Sequence, residues 1–438
     1  MRKSGAIIVF TDIISFWVAF FLLIFIRFSP SQYLEAIHIH HIPFSIIFLS
    51  WIFIFYIFGL YNIFFIRPTA LNLRRFFTSI ILAFLVGIIF FYFVPIFGVT
   101  PKINLVILIL LFGFFSFYFR LLIYRKTLLI IHKPIVFIGT NKYLQELINI
   151  LRLNPQLGFE IIGNYKNIDE ISQEKISIDN LIIVFDKIPE ITDEDIARIC
   201  ENKSEIIDTV EAYEKLLQKI PIDLVKQDWI VNNINIKKEK NILYSLITRI
   251  SEIISAIFVL IISSPLIGIA SLARLIEDGR PIFLKQKRVG KNGKVFEIYK
   301  IRSMVALCKD GSAEKDGPVW STGKDDPRIT KVGKVIRKLH IDEIIQMINV
   351  LRGDMALVGP RPERPIFVEE LEKTIPHYTL RHIIKPGFTG WAQIKYRYAR
   401  SIEDSKEKFE YDLYYIKNRN LFLDIEIILK TIRIILTH

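Results

Sequence analysis

Apolar residues dominate four early stretches of the chain, at 6–26, 43–61, 76–97 and 103–124. Each approaches the ~20 residues a helix needs to cross the hydrocarbon layer, so the pattern predicts an α-helical membrane bundle of four spans over 1–128. The first stretch is too long for a signal-peptide core and lacks a small-residue cleavage site, so it is expected to stay as a span. Beyond residue 129 the pattern changes. KPIVFIG, FEIIGNY and NLIIVF read as strands, alternating with helical YLQELINILRL, EDIARICEN and EAYEKLLQKI, which predicts a Rossmann-like α/β domain over 129–235. Its first turn, Gly139-Thr140-Asn141-Lys142-Tyr143, has one glycine where a dinucleotide fold uses three. No bound cofactor is expected there, and the domain reads as regulatory or architectural.

A fifth apolar run at 253–273 differs from the first four. Pro265 removes a backbone hydrogen bond in mid-run, and Ser263 and Ser264 stand beside it to satisfy freed carbonyls. Both flanks are basic, which disfavours placing them on opposite sides of a membrane. The pattern predicts a re-entrant helix over about 250–275, with a proline-kinked fifth span as the alternative.

The remainder, to residue 438, reads as an α/β catalytic domain starting near 245. FLKQKRVG and VFEIYKIRSM form a hairpin around Asn292-Gly293, a pair suited to a primed turn. In HIDEIIQMINVL, Ile341, Ile344, Ile345 and Ile348 recur at helical spacing and mark one buried face, with Asp342, Gln346 and Asn349 together on another. Asp342 and Glu343 open that helix. Acids in a first turn are ordinary, because the helix dipole favours them there; the other reading is a reaction centre. Trp391 in KPGFTGWAQI suits an interface, and 421–436 reads as an interfacial or docking helix because its charges are scattered.

Composition and charge narrow the class. A mean hydropathy of +0.37 is too high for an ordinary soluble enzyme. The net charge of +13 suits anionic headgroups, phosphorylated substrates or nucleic acid. With membrane segments present, lipids and phosphorylated substrates are the expected partners and nucleic acid is not. Basic residues Arg2, Lys3, Arg67, Arg74, Arg75, Arg120, Arg125, Lys126 and Lys133 outnumber Arg27 and Lys102 in the alternate loops, which predicts cytoplasmic termini for the bundle. Asp12 falls inside the first span, as a functional carboxylate or one reaching interfacial water. The two cysteines, Cys200 and Cys308, are too few for a disulfide framework and read as reduced thiols. Around the acidic pair stand Arg337, Arg352 and Arg361, the last in the rigid turn Gly359-Pro360-Arg361-Pro362, while Lys300 and Arg302 lie in the hairpin. Carboxylates among arginines make a plausible place for a magnesium-bound diphosphate, because magnesium takes one or two carboxylates plus substrate phosphates.

Three ordered segments are specific: RPIFLKQKRVGKNGKVFEIYKIRSM, DPRITKVGKVIRKLHIDEIIQMINVLRGDMALVGPRP and KPGFTGWAQI. Together they resemble the bacterial sugar transferase domain of polyprenyl-phosphate sugar-1-phosphate transferases, over roughly 245–438. The spans and the degenerate Rossmann-like domain resemble the long-form members, and GPVW and RPERPIFVEEL are similar to an exopolysaccharide-linked subgroup. The resemblance implies transfer of sugar-1-phosphate from a UDP-sugar to undecaprenyl phosphate at the cytoplasmic face of the bacterial inner membrane, releasing UMP. It implies Asp342 as nucleophile, forming a phosphosugar-aspartyl intermediate, and Glu343 as a magnesium ligand or activator of the lipid phosphate. Arg337 and Arg361 match basic positions around the phosphates, and the break at Ser264-Pro265 is a family feature.

Three departures stand out. The family usually reads Ser-Leu-Asp-Glu-Leu-Pro-Gln-Leu, so Ile345 replaces a proline. His340 replaces a serine and is expected to cap the helix, with contact to a phosphate as the alternative, and Glu252 replaces an aspartate. Rival readings are a non-catalytic scaffold or sensor of polysaccharide assembly, and a membrane nucleotide-sugar dehydratase. The dehydratase needs a glycine fingerprint and a Tyr-x-x-x-Lys pair that the chain lacks. The large N-terminal half would suit a homodimer.

Overall fold

A computed structural model describes residues 2–94, 102–130, 133–166, 181–186, 204–234, 242–308, 326–396 and 401–436. They form two compact units, 1–209 and 210–438.

In the first unit, α1 (Arg2–Arg27), α2 (Tyr33–Ile57), α3 (Ala70–Phe93) and α4 (Lys102–Ile130) form the bundle. All four are long and apolar enough to cross a membrane. Aromatic packing joins them: the Phe16 and Phe48 rings stack at 4.1 Å, and Trp51 Nε1 donates to the Ala83 carbonyl at 2.9 Å. Asp12 is fully buried. Arg120 donates to both its carboxylate oxygens at 2.6 and 2.7 Å, and Ser116 Oγ donates at 2.7 Å. A lone charge among these apolar side chains would be costly, and pairing relieves it. Asp12 is therefore a clamp between α1 and α4, not a carboxylate in interfacial water. Arg120, at 6% exposure, belongs to the bundle interior and drops out of the basic flank.

The same unit carries a parallel sheet of β1 (Lys133–Ile138), β2 (Phe159–Tyr165), β3 (Ile182–Phe185) and β4 (Glu205–Asp208), in the order β2-β1-β3-β4. β4 is not apparent from the sequence pattern, and the EDIARICEN helix lies outside the described residues. α5 (Lys142–Leu153) follows β1, capped by Asn141 accepting from the Leu144 N–H at 2.7 Å. Gly139 has φ +129°, and a Cβ there would lie 2.4 Å from that of Asp186. The lone glycine thus serves a close approach of two strand ends.

The second unit takes in 210–234, a stretch placed with the α/β domain on sequence. Here α6 (Thr209–Leu217) and α7 (Gln227–Asn233) flank Ile220, Ile222 and Val225, which share a core with Leu371, Tyr378, Phe409 and Leu413. Those apolar partners lie more than a hundred residues away, so no local pattern reveals them. Next comes α8 (Ile242–Asp278), one long helix with Pro265 inside it. Proline lacks the N–H that would reach Ile261, and Ser264 Oγ donates to that carbonyl instead, at 2.8 Å. Both ends of α8 grip the same unit. Arg249 donates to the Val350 and Leu351 carbonyls at 2.7 Å, and Arg274 donates to the Met304 carbonyl at 2.8 Å. Between the two anchors Phe258, Ile261, Ile262 and Ile269 are exposed.

The hairpin is β5 (Phe283–Val289) and β6 (Val295–Ile301). Asn292 and Gly293 both have positive φ, as expected, but the connection runs over Gly290–Lys294 and is longer than a two-residue turn. α9 (Lys331–Lys338), α10 (Ile341–Ile344) and α11 (Met347–Arg352) follow. The single helix expected over HIDEIIQMINVL is split at Ile345–Gln346. There the Gln346, Ile348 and Asn349 N–H groups bond three residues back, which tightens the backbone. Then come β7 (Ala356–Val358), α12 (Pro365–Thr374), β8 (Gly387–Thr389), α13 (Trp391–Lys395), α14 (Ile402–Asn418) and α15 (Leu421–Leu436). Trp391 is wholly buried with Val358, Tyr415 and Ile427, so it is a core residue and not an interfacial one. α15 docks through Leu423 and Ile427 and leaves Phe422 and Ile425 exposed.

Candidate active site

Packing holds the α9–α11 segment. Ile336, Ile341 and Ile345 share a core with Ala270 of α8 and Ile301 of β6. Gly333 makes the close seat of α9 available, because a Cβ there would lie 1.9 Å from the Ser303 carbonyl oxygen. Asn349 is wholly buried, donating to the Glu297 carbonyl at 2.7 Å and accepting from the Tyr299 N–H at 3.3 Å. This amide ties α11 to the strand that carries Lys300.

A second pair of segments brings in the arginine. β7 and β8 pair in parallel, with Gly359 N–H donating to the Thr389 carbonyl and Gly387 N–H to the Pro360 carbonyl, both at 2.8 Å. A Cβ on Gly387 would lie 2.0 Å from the Gly359 nitrogen, and one on Gly390 would lie 2.2 Å from the Gly359 oxygen. Only glycines permit so close an approach. The two Pro/Gly-punctuated motifs are thus two sides of one contact, and it aims Arg361 at the acidic pair.

Arg361 grips Glu343 with both nitrogens, Nη2 to Oε1 at 2.5 Å and Nη1 to Oε2 at 3.2 Å, while Lys300 Nζ reaches Oε1 at 3.3 Å. Burial pushes the Glu343 carboxyl up, but the charges and hydrogen bonds of Arg361 and Lys300 outweigh it and hold it well below the carboxylate range. Asp342 differs from its neighbour. It is 8% exposed, and no hydrogen bond reaches its carboxylate among the described residues. Burial and the charge of Glu343 push it up to about 6, against the opposing charges of Lys300, Arg337 and Arg361. Adjacent carboxylates driven apart in this way mark a division of labour.

The structure thus brings Asp342, Glu343, Lys300 and Arg361 together, with Arg337 near enough to act on Asp342 by charge. Arg302 and Arg352 are held otherwise. Arg302, 1% exposed, donates to the Asp278 and Gly279 carbonyls at 2.9 Å, at the end of α8. Arg352 donates to the Tyr299 hydroxyl at 2.5 Å and lies over its ring. Ser264 and Pro265 are in the exposed middle of α8. His340 occupies the N-cap position, yet its side chain makes no capping bond, because the residue adopts a left-handed backbone at φ 55°.

Sequence reasoning missed Arg288 and Arg381. Arg288 donates to the Pro362 carbonyl at 3.2 Å, and burial pushes it down to about 10. Arg381, 5% exposed, is held by Asp412 at 2.8 Å and the Tyr378 hydroxyl at 2.9 Å. A small cleft opens between Arg361 and Arg381. Only the basic character of FLKQKRVG hinted at Arg288.

Magnesium fits the donor set in part. Two carboxylates are what the ion usually takes beside substrate phosphates. Asp342 is free of hydrogen bonds among the described residues, whereas Glu343 Oε1 already accepts two and Oε2 one. Asp342 and Oε2 are the oxygens best able to hold the ion. No group of three or more metal-binding side chains occurs among the described residues.

Comparison with known proteins bears on this geometry. The bacterial sugar transferase family matches residues 243–438. An uncharacterized sugar transferase, EpsL, of Bacillus subtilis (strain 168) is 40% identical over 191 residues, covering 44% of this chain and 88% of that protein. The chain belongs to the bacterial sugar transferase family. Within that family, the UDP-N-acetylgalactosamine-undecaprenyl-phosphate N-acetylgalactosaminephosphotransferase of Aeromonas hydrophila is 45% identical over 197 residues, covering 44% of this chain and 45% of the relative. The UDP-glucose:undecaprenyl-phosphate glucose-1-phosphate transferase of Escherichia coli (strain K12) is 36% identical over 189 residues, covering 43% and 39%. The match therefore spans less than half the length of these last two relatives. For this sugar transferase, all the residues gathered around Asp342 fall inside the matched segment.

Proposed function

We propose that the protein transfers sugar-1-phosphate from a UDP-sugar to undecaprenyl phosphate on the cytoplasmic face of the membrane, through a covalent intermediate on Asp342. One observation carries the reading: a buried aspartate whose carboxylate takes no hydrogen bond among the described residues lies beside a glutamate clamped by Arg361 and Lys300. A carboxylate left unsolvated keeps its nucleophilicity, and burial beside phosphate-binding cations suits attack on a diphosphate.

The reaction runs in two displacements. An Asp342 oxygen attacks the β-phosphorus of the donor, the bond from that phosphorus to the bridging oxygen breaks, and UMP leaves with the electron pair. An oxygen of undecaprenyl phosphate then attacks the same phosphorus and expels the Asp342 carboxylate, giving the lipid diphosphate sugar. Arg361 and Arg337 neutralise charge on the phosphoryl oxygens, and Glu343 fixes Arg361 and Lys300 in place. Asp342 and Glu343 are the residues that would hold magnesium, which would supply further charge neutralisation to the diphosphate.

α8 is read as re-entrant. Both of its ends are anchored on one compact unit, and a crossing helix would carry one of them to the far side of the bilayer. Exposed Phe258, Ile261, Ile262 and Ile269 suit burial in a single leaflet, which would hold Asp342 at headgroup level. The parallel sheet of the first unit, with its lone Gly139, suits a Rossmann-like domain of architectural role.

The test is UMP release from a panel of UDP-sugars with magnesium and undecaprenyl phosphate. Sustained release with one sugar, dependent on the lipid phosphate, is expected; no release from any of them would refute the transfer.

A further inference from the structure

A shallow cleft, open to its surroundings, lies in the membrane bundle, remote in sequence from the transferase segment. Leu60, Phe65 and Arg67 from the α2–α3 connection line it, with Leu73 and Phe76 of α3 and Arg120 of α4. Its walls are apolar and its charges are cationic. Residues 1–132 contain only two acids, Asp12 and Glu35. Asp12 is spent on Arg120, and Glu35 lies in the first turn of α2, whereas the cleft begins past that helix's other end. Arg67 donates to the Leu153 carbonyl at 2.6 Å and pairs with no carboxylate among the described residues. Arg75 lies 4.1 Å over the Phe65 ring and adds a further cation to this end of the bundle. Arg120 sits six residues inside the end of the apolar segment Ile103–Lys126, about 9 Å at 1.5 Å per residue. The cleft therefore spans the boundary between headgroups and acyl chains.

Such a place suits a molecule with an anionic head and an apolar tail. We propose that the cleft binds the phosphate of a membrane lipid, with Arg67 meeting the phosphate and Phe65, Leu73 and Phe76 enclosing the first methylenes. A bulk anionic phospholipid and undecaprenyl phosphate share that chemistry. The proposal rests on the bundle alone and stands whether or not Asp342 is a nucleophile.

The test uses the full chain in detergent micelles without divalent ions. Thermal unfolding is followed with added phosphatidylglycerol, phosphatidylcholine or undecaprenyl phosphate. A ligand of the folded state raises the Tm, so a rise of several degrees is expected with a phosphate-bearing anionic lipid and not with phosphatidylcholine. Arg67→Gln, on an exposed side chain, and Leu73→Trp, which fills the cleft without changing charge, should each remove that rise. Undecaprenyl phosphate also has the transfer site to bind, so only the part of its shift lost in both variants counts. A variant-sensitive shift with either anionic lipid supports the cleft and identifies its source. An equal shift with phosphatidylcholine, or shifts that survive in both variants, would overturn it.

Discussion

Arg361 holds both carboxylate oxygens of Glu343, at 2.5 and 3.2 Å, while the adjacent Asp342 carboxylate takes no hydrogen bond among the described residues. Paired forks of this kind are geometrically specific, and lysine does not reproduce them. Arg361→Lys should keep the charge and lose the grip. Loss of one preorganised donor typically costs about 10²–10³ in rate, so a fall of that size in UMP release is expected with little change in Tm. Activity near that of the unaltered protein would show that the fork does not position anything the reaction needs.

The acid limb of the rate should follow Asp342. Its carboxyl is pushed up to about 6, and attack requires the deprotonated form. UMP release should therefore rise with pH through a midpoint near 6. Glu343→Gln removes the like charge that helps raise Asp342 and releases two cations towards it, so the limb should move to lower pH. A limb that stays in place, in a pH–rate profile of both proteins, would detach it from Asp342.

The same shift has a sign for stability. A carboxyl whose folded value of about 6 lies above its ordinary 3.8 binds its proton more tightly when folded. That stabilises below the ordinary value, and the advantage is lost as pH rises to about 6. The loss is about 3 kcal/mol at ~1.36 kcal/mol per unit. Asp342→Asn removes the buried charge at nearly constant volume. At neutral pH it should raise the Tm while abolishing UMP release; a lowered Tm would mean that the carboxylate supports the fold.

Gly359 tests the contact that aims Arg361. An added Cβ would lie 2.6 Å from the Lys385 carbonyl oxygen and 2.9 Å from the Gly387 nitrogen. Gly359→Ala must spread β7 from β8 and move Arg361 with it. A displacement of ~1 Å can cost about 10²-fold, which UMP release would report. Intact activity would mean that the two segments move apart without disturbing the arginine.

Asp12 and Arg120 give a prediction away from the chemistry. Breaking a buried pair from one side typically costs about 3–5 kcal/mol, whereas replacing both partners by apolar groups is often neutral. Asp12→Asn should lower the Tm strongly, and the double variant Asp12→Leu, Arg120→Met should recover most of it. If the double variant is as unstable as the single one, the pair contributes more than mutual neutralisation.

Local pattern made much of this legible. Runs of ~20 apolar residues announce spans, and short β-branched and aromatic runs broken by turn residues announce β1, β2, β3 and the hairpin. The acidic pair became a candidate site through its motifs and basic neighbours, and Arg361 was readable from its rigid turn. What stayed hidden depends on contacts between residues far apart in the chain. Asn349 reaches Glu297, Arg381 reaches Asp412, and Ile222 packs on Phe409, none of which leaves a periodicity. Trp391 misled for the same reason, since its burial comes from α14 and α15. Arg302 looked like a phosphate ligand because charge is visible in a sequence, whereas two helix-end carbonyls awaiting a donor are not. The proline normally found at Ile345 raised a question of geometry that the backbone answers. Ile345 has φ −61°, within the range proline imposes, so the turn between α10 and α11 holds at this position a φ that a proline could also adopt.

The central claim is a covalent bond to Asp342. Purified protein incubated with its UDP-sugar, but without undecaprenyl phosphate, should release at most one equivalent of UMP. Its intact mass should rise by one sugar phosphate, mapped by peptide sequencing to Asp342 and lost on adding the lipid phosphate. UMP release that requires the lipid from the first turnover, with no adduct at any time, would contradict it.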